Sequence, residues 1–300
     1  MKNLISITDF SKDEILHILD IAKEFEAKRE QKFLEGKVIA CLFFEPSTRT
    51  RLSFEAAVNR LGAKVIGFPD SRNTSVSKGE TLEDTIRIVS NYVDMIVMRH
   101  PLSGAADVAA RYASVPVVNA GDGSNQHPTQ TLLDLYAILK TQGRLDGIDI
   151  NMVGDLKYGR TTHSLLQAMS LFDTKMTFTA PDELRMPEEY LRVLDERHIP
   201  YGQTTDLESH LNDCDILYMT RIQQERFPSM EEYNRLKDSY ILKASMLSGV
   251  KDNMKILHPL PRVNEISSDV DDTRYAYYFQ QAGGGMYIRM AVISYLLGYR

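Results

Sequence analysis

The apolar positions along this 300-residue chain fall into short runs separated by amphipathic stretches, and that alternation is the first guide to its fold. Ser11 and Glu14 have the spacing of a capping box, and Ile15, Ile18, Leu19 and Ala22 then lie on one helical stripe. Residues 37–44 form an apolar run suited to a buried strand. Ser47 opens a helical pattern that ends near Gly62, and 63–68 reads as a second strand. A helix over 81–89 and strands over 95–98 and 115–119 continue the alternation, which predicts a parallel sheet with crossover helices.

A helix over 130–140 is followed by TQGRLDG, whose two glycines and lack of apolar period make it the strongest internal boundary. A second α/β unit is expected beyond it. Its predicted strands are 149–153, 175–179, 216–219 and 255–257, with helices over 161–171 and 187–197. A final helix over 286–297 is apolar enough to be packed, and QAGGGM before it reads as a flexible turn. No repeat of fixed period is present, so the expected fold class is α/β, two parallel-sheet lobes with a cleft between them. Ligands of such sheets bind at the carboxyl ends of the strands.

Composition narrows the classes of function. With 43% hydrophobic and 25% charged residues and no low-complexity tract, the chain reads as globular. Lys plus Arg number 35 against 41 Asp plus Glu, a net charge of -6, so no global positive field favours nucleic acid or an anionic membrane. An anionic ligand therefore needs a local basic pocket. Cys41 and Cys214 stand in apolar surroundings that suit buried thiols in a reducing compartment, and a cytoplasmic location is expected. Neither a leader-like apolar core nor a span-length apolar segment is expected. No metal is expected, because HExxH, paired CxxC and clustered His and Cys are all absent, and no cofactor is expected either.

The densest chemistry lies in FFEPSTRTRLSFE, where a strand ends at Phe44 and a helix starts at Ser47. Hydroxyls, the N–H groups of the first helical turn and the positive end of the helix dipole can converge there on one phosphate, with Arg49 adding bidentate hydrogen bonds. A capping Ser followed by a solvated Arg is the ordinary alternative, and the clustering of the whole pentapeptide weighs against it. Lacking the glycines and lysine of a Walker loop, the turn is not a nucleotide-triphosphate cradle. Arg99 and His100 follow an apolar strand, and Arg160 in GDLKYGRTTHS opens a helix in a way that suits a carboxylate. Arg221 and Gln223 are two apart on an extended segment and so share a face.

FFEPSTRTRLSFEAA resembles the carbamoyl-phosphate motif of the aspartate and ornithine carbamoyltransferases, and the resemblance runs over nearly the whole chain. It implies phosphate binding by Ser47, Thr48, Arg49 and Thr50, with Thr50 also reaching the carbonyl oxygen. Glu45 beside so many cations suits a salt-bridge partner better than a ligand. Arg99 and His127, with Thr50, are implied to polarise the carbamoyl carbonyl, as fixed donors do in an oxyanion hole. Gln130 and the backbone carbonyl of Leu260 in HPLPRVNEI, a turn read as extended between Pro259 and Pro261, are implied to meet the carbamoyl amide.

NTSVSKGETLEDT taken alone reads as a solvated loop. Its likeness to a family loop that enters the neighbouring subunit's site implies that Ser75 and Lys78 act in trans, Lys78 as a catalytic and aspartate-contacting group, within a homotrimer. Arg160 and Arg221 are implied to hold the two carboxylates of L-aspartate, with Gln223 beside them. HPLP in place of a Cys-containing loop, and a cation at Arg221 that would repel ornithine, select aspartate as acceptor. The implied reaction gives N-carbamoyl-L-aspartate and phosphate, the committed step of de novo pyrimidine biosynthesis. The implied domains are 1–129 with helix 285–300 for carbamoyl phosphate and 130–284 for aspartate. A separate regulatory chain giving a larger assembly is left open.

Overall fold

The computed structural model describes all residues except 1, 30, 71–74, 224–226 and 228, together with the side chain of residue 76. The chain folds into two compact units, 1–133 with 284–300 and 134–283, so both divisions fall inside helices.

In the first unit, strands β1 (Val38–Phe43), β2 (Lys64–Phe68), β3 (Met95–His100) and β4 (Val117–Asp122) form a parallel sheet in the order β2-β1-β3-β4. β1, β3 and β4 are almost wholly buried, as strands covered on both faces must be, whereas β2 is an edge strand with no fully buried residue. Helices α1 (Lys12–Ala27), α2 (Thr48–Arg60), α3 (Leu82–Val89) and α4 (Ala105–Tyr112) accompany these strands. The predicted capping box is made: Ser11 Oγ accepts the Glu14 N–H at 3.3 Å and Glu14 accepts the Ser11 N–H at 3.0 Å. α4 escaped prediction because its buried face is made of alanines, Ala105, Ala106 and Ala109, which give little hydrophobic contrast.

α5 (Pro128–Gln142) and α9 (Tyr278–Leu296) are the helices within which the units divide. Read from sequence as a flexible turn, the described residues 281–286 are instead helical throughout, as part of α9. At Gly285 close packing leaves little room for a side chain. A Cβ on Gly285 would stand 2.3 Å from Arg289 Nη1 and 3.2 Å from Leu133 Cδ2. Beyond it Ile288, Met290, Ala291, Val292 and Ile293 are fully buried, so this helix belongs to a core rather than a surface.

The second unit holds β5 (Ile148–Val153), β6 (Thr174–Thr179), β7 (Tyr201–Thr204), β8 (Ile216–Met219) and β9 (Lys255–Leu257), parallel and in the order β7-β6-β5-β8-β9. Its helices are α6 (Arg160–Met169), α7 (Glu188–Glu196) and α8 (Met230–Leu236). β7 was not foreseen: YGQT is a short edge strand with mostly polar side chains and no apolar run to announce it.

Both sheets reverse strand order once. In the first the chain runs from β1 outward to β2 and then returns to β3 on the other side of β1. In the second it runs from β5 through β6 to β7 and returns to β8 beside β5. Each reversal leaves a crevice beyond the carboxyl ends of two neighbouring strands, the place where open α/β sheets bind ligands. One crevice follows β1 and β3, the other β5 and β8.

Candidate active site

The first crevice receives the turn after β1. Phe43 of β1 lies beside Arg99 of β3 in register, and the Phe44 N–H donates to the Arg99 carbonyl at 2.8 Å. Arg99 thus stands beside the segment that leads into α2. Its guanidinium donates from Nε to Glu45 Oε1 at 2.7 Å, and Nη2 also lies 2.7 Å from that oxygen. The pair is largely shielded, with 14% of the Arg99 and 23% of the Glu45 side chain exposed. Glu45 is therefore a partner of Arg99, as the surrounding cations suggested.

Ser47 is the N-cap of α2 in extended conformation, and its side chain makes no capping hydrogen bond. Ser11, Thr81 and Ser229 at the starts of α1, α3 and α8 do make theirs. The Ser47 hydroxyl is thus not committed to the N–H groups of the first turn of α2, and both can serve a ligand. Thr48 and Arg49 are exposed, Ser47 half-buried and Thr50 buried.

His127 and Gln130, both buried, stand at the start of α5, where the His127 carbonyl accepts the Gln130 N–H at 2.9 Å. The turn that brings the chain there from β4 is organised by the fully buried Asp122. Its carboxylate accepts from Asn119 Nδ2 at 2.8 Å, the Gly104 N–H at 2.8 Å, Asn125 Nδ2 at 3.1 Å and the Gln126 N–H at 3.2 Å. Ser75 and Lys78, both exposed, bound a 3-10 helix, while Asn73 and Thr74 of the same motif lie outside the described residues.

The second crevice receives the loops after β5 and β8. Thr220 fastens one to the other, donating from N and Oγ1 to the Val153 carbonyl at 2.8 and 2.9 Å. Gly154, at φ 119, permits the approach: a Cβ there would lie 2.3 Å from the Thr220 carbonyl oxygen. Arg221 and Gln223 are half-buried with buried Ile222 between them, the alternation of an extended segment; Gln224, Glu225 and Arg226 of TRIQQER lie outside the described residues. Arg160 is the first residue of α6, half-buried, after the N-cap Gly159.

Several supporting residues were not singled out from sequence. The fully buried Asp155 accepts the Tyr158 N–H at 2.9 Å. Burial pushes its carboxyl up to about 6, against the opposing pull of the Tyr158, Gln223 and Lys157 N–H groups and the Arg221 guanidinium. His163 Nε2 donates to the Leu156 carbonyl at 2.7 Å, and its ring stacks on Tyr190 with centroids 4.0 Å apart. Burial lowers that imidazole to about 4, so it is neutral at physiological pH. Together they hold residues 154–159, the loop ahead of Arg160. His258 and Glu265 perform the same service for HPLPRVNEI, in which Leu260 adopts φ 55 in place of the expected extended turn. The only signal available beforehand was their position inside motifs already noticed for other residues.

A cationic helix start in one crevice, and in the other Arg160 at the start of α6 with Arg221 on a loop, suit the binding of small anions. Similarity to known proteins narrows this reading. Residues 2–140 match the aspartate/ornithine carbamoyltransferase carbamoyl-P binding domain, and residues 146–296 match the Asp/Orn binding domain of the same family. The chain is 60% identical to the aspartate carbamoyltransferase catalytic subunit of Phocaeicola vulgatus, covering 99% of this chain and 95% of that one. It is 54% identical to the corresponding subunit of Vibrio vulnificus, covering 99% and 96%.

Among solved structures, the catalytic subunit of M. jannaschii aspartate transcarbamoylase matches with TM-score 0.92 and 52% identity, over 99% of this chain and 98% of that one. Aspartate transcarbamoylase from Trypanosoma cruzi, in complex with carbamoyl phosphate and aspartate, matches with TM-score 0.92 and 37% identity, over 97% and 95%. This chain belongs to the aspartate/ornithine carbamoyltransferase family.

Proposed function

We propose that the chain transfers the carbamoyl group of carbamoyl phosphate to the α-amino group of L-aspartate, giving N-carbamoyl-L-aspartate and phosphate, the committed step of de novo pyrimidine biosynthesis. The observation that carries this reading is the coincidence of cationic groups with both topological reversals: Ser47–Thr50 and Arg99 beyond β1 and β3, Arg160 and Arg221 beyond β5 and β8.

Each residue then takes a role. The phosphate sits on the start of α2, bound by Ser47, Thr48, Arg49 and Thr50, where helix dipole, N–H groups and guanidinium act together. Thr50, Arg99 and His127 direct donors at the carbonyl oxygen, which gains negative charge as nitrogen attacks. Glu45 fixes the Arg99 side chain, so the donor does not have to be ordered during the reaction. Gln130 and the Leu260 carbonyl meet the carbamoyl amide. Arg160 and Arg221 take the α- and β-carboxylates of aspartate, with Gln223 beside them, and Arg221 repels the cationic side chain of ornithine.

The new C–N bond forms as the C–O bond to phosphate breaks; the departing phosphate takes the electron pair and accepts the amine proton. No enzyme nucleophile is needed, because the carbamoyl donor is already activated by its leaving group. We assign carbamoyl phosphate to a domain of residues 1–129 with 285–300 and aspartate to 130–284.

The assembly follows from the same reading. Ser75 and Lys78 stand exposed on the single chain, which suits groups that complete the site of a neighbouring subunit in a homotrimer, Lys78 close to the reacting atoms. Cys41 and Cys214 are free and buried, and burial pushes both thiols up to about 12, consistent with residence in a reducing cytoplasm. No helix among the described residues is long and apolar enough to cross a membrane.

The test is product formation by purified protein from carbamoyl phosphate, comparing L-aspartate and L-ornithine with a chelator present, alongside sedimentation to obtain the subunit number. Carbamoyl-aspartate formed from aspartate alone by a trimer is the expected result. Turnover with ornithine would overturn the substrate assignment, and full activity as a monomer would overturn the role of Ser75 and Lys78 in trans.

A further inference from the structure

We propose that His258 is a positioning residue for the reaction: as the neutral imidazole protonated on Nε2, it fixes the Leu260 backbone so that the Leu260 carbonyl is aimed at the carbamoyl nitrogen. This rests on the role given to Leu260 above and adds to it the group that sets the orientation.

Two contacts select the same tautomer independently. The Leu260 N–H donates to His258 Nδ1 at 2.7 Å, and a ring nitrogen that accepts carries no proton. The other nitrogen, Nε2, lies 2.7 Å from Glu265 Oε1, and a carboxylate accepts, so the proton resides on Nε2. His258 is 1% exposed and Glu265 5%, so water cannot substitute for either partner. The second carboxylate oxygen of Glu265 accepts the Val263 and Asn264 N–H groups at 3.0 and 3.1 Å. One imidazole–carboxylate pair thus spans the loop from 258 to 265 and holds it at three backbone points.

The pair is itself anchored. The His258 N–H donates to Gln281 Oε1 at 2.8 Å, Gln281 Nε2 donates to Asp134 Oδ1 at 2.6 Å, and the Tyr218 hydroxyl donates to Asp134 Oδ2 at 2.8 Å. All of these groups are buried. The imidazole therefore has a fixed base from which to hold Leu260, and Leu260 needs holding: at φ 55 it occupies a left-handed region that non-glycine residues adopt rarely. Adding a proton at Nδ1 would set two N–H donors against each other and release the loop. Burial and the nearby Arg262 and Arg221 oppose that proton, while Glu265 favours it, and the imidazole is held below its ordinary value.

Two substitutions separate the contacts. The amide oxygen of H258N stands near the position of Nδ1 and can accept from Leu260, but does not reach Glu265. The amide nitrogen of H258Q stands near the position of Nε2 and can donate to Glu265, but leaves the Leu260 N–H without its acceptor. Kinetics per folded subunit should show H258Q reduced in kcat by about a hundredfold, the scale of an ångström misplacement, with the KM for L-aspartate little changed, while H258N retains kcat within severalfold of wild type. Equal losses in the two variants would make His258 structural only and overturn the inference.

Should either variant fail to fold, selective 15N-histidine spectra of the wild-type protein decide: the Nε2–H tautomer is expected at neutral pH, and an Nδ1–H tautomer or imidazolium overturns the proposal. The arms are distinguishable from the test of the reaction itself. An inactive wild-type enzyme counts against the proposed reaction, whereas an active wild type with indistinguishable variants counts against His258 alone.

Discussion

On the proposed function, the crevices of the two units solve one problem, presenting cations to small anions, by different means. In the first unit the presenting element is a helix start, set by the register of β1 on β3, the extended N-cap at Ser47 and the first turn of α2, with Glu45 holding Arg99 and buried Asp122 holding the turn ahead of His127. In the second unit Arg160 opens α6 and Arg221 stands on a loop, and the surrounding loops are held by buried polar side chains, Asp155 and His163 on one, and on another His258 and Glu265, joined to Gln281, Asp134 and Tyr218. A helix start is rigid by construction, whereas a loop acquires rigidity only when its polar groups are satisfied. On the proposed roles, the first arrangement suits a site that must meet a transition state, the second a site that must select an acceptor.

Replacement at Arg99 should produce the largest effect. Arg99→Ala should lower kcat by about a hundredfold or more, on the scale of losing one oxyanion donor, and leave the KM for L-aspartate nearly unchanged. Steady-state kinetics with near-normal kcat would remove Arg99 from its role. The contrasting change is Arg221→Ala, which should raise the KM for L-aspartate by about ten- to hundredfold, the scale of a charged hydrogen bond, with a smaller effect on kcat. A variant that loses kcat as heavily as Arg99→Ala would erase the distinction between a site for the transition state and a site for the acceptor.

The smallest effect concerns stability and sharpens the contrast in support. The Asp155 carboxyl is held at about 6 in the folded chain against an ordinary 3.8, so the folded state favours its protonated form. Its favourable contribution is full below the ordinary value and is lost as pH rises through about 6. Asn mimics the protonated form at every pH. Thermal or denaturant unfolding should therefore find Asp155→Asn more stable than wild type at pH 8, by on the order of 1–3 kcal/mol, with the difference closing below pH 6. A variant less stable than wild type at pH 8 would show that the ionised carboxylate is adequately compensated by its neighbours.

These differences also explain what could be read from sequence. Ser47–Thr50 and Arg160 were legible because a helix start writes its residues consecutively, and Glu45 because its cations are adjacent in the chain. Strands β1, β3, β5 and β8 were legible as unbroken apolar runs, as doubly covered parallel strands must be. The supporting network was not, since Tyr218 and Asp134 are 84 positions apart and Gln281 and Asp134 are 147 apart, and no local periodicity carries such pairings. Gly285 misled for the same reason: its packing neighbour Leu133 is remote in sequence, and a run of glycines viewed alone signals a turn.

The return of residues 284–300 to the first unit has a consequence for synthesis. A ribosome delivers residues 1–133 first, but the apolar helix that returns to their unit emerges only after residues 134–283 have been made. Residues 134–283 are continuous, whereas the first unit needs segments from both sides of them, so the usual order in which an N-terminal domain is completed first during synthesis does not apply to it. Until α9 leaves the exit tunnel, the nascent first unit must wait with the surface that later covers Ile288, Val292 and Ile293 still open to solvent and to chaperones.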